Sequence, residues 1–201
     1  MSNWEKDVDW LPTGDPRNPF PFELLDCRAA LSAFNQLTSR ETTSLTFAAI
    51  EDLVEASQPS LLPANAVSAD HAIKIRLKHP MSELAKAMPS GAGHKWILQF
   101  SPQVVVARRR WTGQTIHVGE YSHDGQDLIV TRLTSEREWA YDNFAYAAAE
   151  MEFLLKTILE ERLAPFPIPP GLANADKSKI AAHGWKAHGP LAEFARRLLP
   201  V

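Results

Sequence analysis

The stretch KWILQFSPQVVVARRRWTGQTIHVGEYSHDGQDLIVTRL, residues 95–133, decides the fold class. Its four runs, KWILQF, QVVVARRRW, QTIHVGEY and DLIVTRL, are dense in β-branched and aromatic residues, and polar or glycine-containing breaks separate them. Such spacing predicts an antiparallel meander of about four strands. Asp124–Gly125 is the strongest turn signal, because a type I′ hairpin needs positive φ at both loop residues, and Thr112–Gly113 is a weaker form of it.

Elements on both sides extend this core. HAIKIRLKH, residues 71–79, alternates Ile73, Ile75 and Leu77 with Lys74, Arg76 and Lys78, which predicts an additional half-exposed strand. Residues 138–163 contain neither Gly nor Pro, and Ala140, Phe144, Ala147, Met151, Leu154, Leu155 and Ile158 form a stripe at helical spacing; a long helix should therefore pack on the sheet. Further helices are expected over residues 26–37, 39–57 and 81–88, from Asp176 onward, and over residues 189–199, where Pro190 would occupy a first turn. Helices, then sheet, then helices is the order of an α+β fold.

The first 22 residues carry Pro12, Pro16, Pro19 and Pro21 among Trp4, Trp10, Phe20 and Phe22. Prolines at this density block helix, and the aromatics seek cover, so an extended arm over 1–22 is expected to lie across its own domain or a partner. Residues 23–201 are read as a single α+β domain. With 45% hydrophobic and 22% charged residues, the chain has the composition of a folded globular protein rather than a disordered one.

A net charge of -3 and a pI near 6.2 disfavour nucleic acid and anionic membranes as partners. MSNWEKDVDWLP has no apolar core of a secretory signal, and no apolar run is long enough to span a bilayer, so a cytoplasmic protein is expected. Cys27 stands alone and excludes an intrachain disulfide; its place on a stripe with Leu24 and Leu31 points to a buried, inert thiol. His183 and His188 are five apart beside glycines, which matches no zinc spacing, and no nucleophile elbow or phosphate loop is present. Neither metal nor cofactor is expected.

The densest positive charge is RRRWTG, residues 108–113. Two-residue turns at both glycine sites would place Val104, Val106, Arg108 and Arg110 on one face, opposite Tyr121, Gly119, His117 and Thr115, with Leu128, Val130 and Arg132 joining them. Arg108, His117 and Arg132 would then form a row, with Arg110 diagonal to it. Like charges so arranged need solvent, a carboxylate or an anionic ligand. The other face, with Val105, Ala107, Ile116, Val118, Ile129 and Leu133 and with Arg109 at its edge, is expected to take the long helix. On that helix Glu150 stands out, because it lies near the buried stripe.

These features support two functional readings. The first is a non-catalytic protein-binding domain of the immunity, adaptor or accessory type, with Trp4, Trp10 and Trp111 as contact residues and another protein or a second copy as partner. The second is a small-molecule enzyme or ligand binder that holds an anionic ligand through Arg108, Arg110, His117 and Arg132, with His117 as acid or base. That reading requires the four side chains to converge on a concave site.

Overall fold

A computed structural model describes residues 4–38, 62–63, 65–81, 86–87 and 94–198. In chain order the elements are β1 (Asp9–Leu11), β2 (Leu24–Asp26), α1 (Arg28–Thr38), β3 (Ala66–Arg76), β4 (Lys86–Ala87), β5 (Trp96–Ser101), β6 (Val104–Arg109), β7 (Thr115–His123), β8 (Asp127–Glu136), α2 (Phe144–Leu159), β9 (Phe166–Pro167), α3 (Lys177–His188) and β10 (Phe194–Arg196). By its contacts the chain divides into two compact units, one of Met1–Thr43 with Ala164–Val201 and one of Ser44–Leu163. The fold is α+β. No helix among the described residues is long and apolar enough to cross a membrane.

The second unit contains the meander. β5, β6, β7 and β8 pair consecutively and antiparallel; β3 adds to β8 at one edge and β4 to β5 at the other. Helix α2 packs against β3 and β8. It begins later than the 138–163 pattern implies, at Phe144, because Asn143 caps it by accepting a hydrogen bond from the Tyr146 N–H at 3.0 Å. Just before the cap, Tyr141 and Asp142 both adopt left-handed backbone, with φ of 54° and 52°, and this turns the chain out of β8.

Register departs from the expected two-residue turns. The β6–β7 connection is a four-residue turn, closed by the Arg109 N–H donating to the Gln114 carbonyl at 2.9 Å, with Gly113 at φ 67°. The next hairpin turns on Gly125 and Gln126, because the Asp124 carboxylate accepts from the N–H groups of Gln126 and Asp127. Irregularities follow at Ala107/Arg108 and Glu120/Tyr121. As a result His117 pairs with Ala107 rather than Arg108, and Arg132 pairs with Glu120. The row of Arg108, His117 and Arg132 expected from alternation is therefore not formed.

In the first unit, β2 pairs antiparallel with β1 and β10, and β9 runs parallel to β10. Leu11, Leu24 and Phe194 form a buried cluster against which Phe20 and Phe22 pack. The proline-rich arm is held by Asn18, whose side-chain amide donates to the carbonyls of Leu11, Pro12 and Phe22. Cys27 is fully buried, and burial pushes its thiol pKa up. The helix expected over 189–199 is instead a 3-10 turn, Gly189–Leu191, followed by β10. So short an apolar stretch does not distinguish helix from strand, and the pairing of Phe194 and Ala195 with β2, and of Ala195 and Arg196 with β9, decides for strand. The helix expected over 39–57 lies outside the described residues. Of the one over 81–88, residues 82–85 and 88 lie outside them, while Lys86 and Ala87 form an edge strand rather than helix.

Gly184 in α3 permits a close approach: a Cβ there would lie 2.5 Å from Cζ of the buried Phe166 and 3.1 Å from the Cβ of Ala192. In a free helix Gly→Ala gains about 1 kcal/mol, but overpacking costs about 1–3 kcal/mol. Gly184→Ala is therefore expected to lower stability in urea melts, whereas Gly171→Ala, with nothing within 4 Å of its added Cβ, should change it by less than about 0.5 kcal/mol.

Candidate functional site

Strand alternation and the irregularities in β6 and β7 bring Trp96, Arg109, His117 and Ser135 to the face that meets α2, where Glu150 enters from the helix. His117, Ser135 and Glu150 are all 0% exposed. An isolated carboxylate in such a place would be costly, so it must be met by donors. Three converge on it. Trp139 Nε1–H donates to Oε2 at 2.6 Å, Tyr146 Oη–H donates to Oε1 at 3.1 Å, and His117 Nε2 lies 3.0 Å from Oε2. The indole can only donate, which leaves Oε2 as acceptor and gives the His117 Nε2 the proton. Nδ1 then faces the Ser135 hydroxyl at 2.8 Å.

Aromatic packing completes the network. Trp96 stacks on His117 at 5.9 Å and meets Trp139 edge-on at 5.6 Å. The Arg109 guanidinium sits in the corner between the two indoles, 4.8 Å from the Trp96 ring and 5.0 Å from the Trp139 ring. Burial pushes its pKa down to about 10, against the opposing pull of the Glu150 charge. Tyr141 packs edge-on against Tyr146 at 5.3 Å. Burial first, and Glu150 second, push the Tyr146 phenol pKa well up.

Serine, histidine and carboxylate in line suggest nucleophilic catalysis, but this arrangement cannot perform it. The Ser135 hydroxyl has no exposed surface and no acyl group can reach it. What the network does is mechanical: it ties β7, β8, α2 and the turn before α2 to one carboxylate. At the surface it supports a rim. Trp139 and Arg109 are half-buried, and Tyr141 is 46% exposed.

The residues expected to bind an anion are separated. His117 is in the sealed network, whereas Arg108 lies on the opposite face, paired with Ile97 and Thr115. Arg132 is exposed and forms ion pairs with Asp70 at 3.1 Å and Glu120 at 3.8 Å. Arg110 is buried and its guanidinium lies 5.5 Å from the Trp111 ring. The three tryptophans expected to meet a partner are each half-buried. Trp4 packs on Phe34 at 5.1 Å, and Arg197 lies over Trp10 at 3.8 Å. Trp139, Tyr141 and Tyr146 were not singled out by sequence; the available signal was EWAYDN, an aromatic cluster immediately before a helix cap. Among the described residues no group of three or more His, Cys, Asp or Glu side chains could hold a metal ion.

Removing the carboxylate strands its donors, so Glu150→Ala should cost about 3–5 kcal/mol. A variant that removes the donors as well, Glu150→Leu with His117→Phe, Trp139→Phe and Tyr146→Phe, should recover much of that loss in urea melts. Tyr146 adds a pH signature. Its folded pKa lies above the ordinary value of about 10, so above that pH the unfolded chain sheds a proton that the native state keeps, and stability falls as pH rises. At neutral pH wild type should exceed Tyr146→Phe by about 1.5–3 kcal/mol, and this gap should narrow as pH is raised past about 10.

Comparisons with protein-family models, with curated proteins and with solved structures return no match.

Proposed function

We propose that this protein is a non-catalytic protein-binding domain of the immunity, adaptor or accessory type, and that Arg109, Trp139 and Tyr141 form its contact surface. The observation that carries this reading is the rim itself: three side chains of the types that dominate interface energetics, fixed from below by the sealed Glu150 network. Preorganisation of this kind lowers the ordering cost of association. The left-handed Tyr141 is also a large aromatic held partly in water on strained backbone, and strain of that kind gathers at recognition sites. Its partner is a protein surface with an apolar pocket for the Tyr141 ring.

The enzyme alternative, acting through Arg108, Arg110, His117 and Arg132, draws no support from side chains that occupy two faces of a sheet. Placement in the cytoplasm is part of the proposal and rests on Cys27, a buried thiol without a disulfide.

Tyr141→Gly removes the ring while suiting the left-handed backbone, so its melting temperature should stay near that of wild type. Wild-type protein used as bait in its native lysate should retain a protein that Tyr141→Gly retains at least about 30-fold less well, the loss of a residue worth about 2 kcal/mol. Equal retention by both baits, or a co-purifying metabolite that the protein turns over, would overturn the reading. Light scattering identifies a second copy as the partner if the particle mass doubles in wild type alone.

A further inference from the structure

The three consecutive arginines end in three different environments, and Arg108 has no ion-pair partner among the described residues. It is 8% exposed, and its Nε is buried with no hydrogen-bond partner. Burial shifts its pKa downward. By contrast Arg28, Arg132 and Arg137 each hold a carboxylate within 3.1 Å. A buried guanidinium N–H without a partner is unfavourable, and an anion that accepts from it restores the balance.

The surroundings suit a small anion. Ile97 and Thr115 flank Arg108 on the neighbouring strands, and Val106 lies two residues earlier on the same face; all three are buried. Surroundings withdrawn from water strengthen a charge contact made to a cation within them. Arg110 continues the ladder through its N–H to the Lys95 carbonyl at 2.9 Å, two residues beyond Arg108 in the same alternation. The guanidinium fork matches the geometry of two oxygens on one centre.

We propose that Arg108 anchors a binding site for a compact oxyanion, a phosphate, sulfate or carboxylate group, on the face of the sheet opposite α2. The site is independent of the Arg109–Trp139–Tyr141 rim, which lies on the other face.

The test is thermal unfolding of the full chain in sodium phosphate and in sodium acetate, each against sodium chloride at matched ionic strength. Wild type and Tyr141→Gly should both gain several degrees with phosphate or acetate, because a ligand that binds only the native state raises its midpoint. Arg108→Met, which keeps much of the length and removes the charge, should melt at or above wild type in chloride and gain nothing from either oxyanion. A wild-type midpoint indifferent to both anions overturns the proposal, as does a shift of equal size in Arg108→Met. Should Arg108→Met not fold, the NMR signal of the Arg108 Nε–H in wild type decides, identified by its loss in Arg108→Lys. Movement of that signal with added phosphate supports the site, and a stationary signal overturns it.

Discussion

A carboxylate sealed from water must be met by donors, and Glu150 imposes that condition on its surroundings. Its partners come from β7, from the turn after β8 and from the first turns of α2, so one acceptor group relates a strand, a turn and a helix. Apolar packing of α2 on β3 and β8 is non-directional and would tolerate sliding. Hydrogen bonds of 2.6–3.1 Å do not. The network therefore specifies where the helix sits along the sheet, while burial of Leu154, Leu155 and their neighbours supplies most of the drive to be there.

The same network links the interior to the surface. Trp139 spends its only side-chain donor on Glu150, and its ring then forms one wall of the corner that holds Arg109. Tyr146 does the same for Tyr141 through an edge-on contact. The exposed rim thus inherits its rigidity from groups with no exposure at all. On the opposite face Arg108 has no such support, and strand alternation is the reason: adjacent residues of a strand point to opposite faces, so neighbours in RRRWTG meet different chemistry.

Much of the architecture was legible beforehand. The β-rich runs between residues 95 and 133 form the meander, the Ile73/Ile75 alternation forms its additional edge strand, and the stripe from Phe144 to Ile158 forms the helix on the sheet. Glu150 was visible as an acidic residue beside a buried stripe. What could not be read was register. A four-residue turn in place of a two-residue one, with an irregularity on each side of β7, moved His117 to the helix face and separated it from Arg108 and Arg132. A side-chain period of two makes any such slip decisive.

The sequence by itself determined which segments are strand and which are helix over most of the described chain, because hydrophobic periodicity and turn chemistry are local properties. It also determined that Cys27 is a lone thiol and that net charge gives no general attraction to polyanions. Only the tertiary structure decided which polar side chains are buried together, and that Arg108 has no ion-pair partner among the described residues. Those outcomes depend on pairings such as Asp70 with Arg132 and His117 with Glu150, between residues 62 and 33 positions apart. Contacts at that separation follow from packing and strand register, which no local pattern encodes.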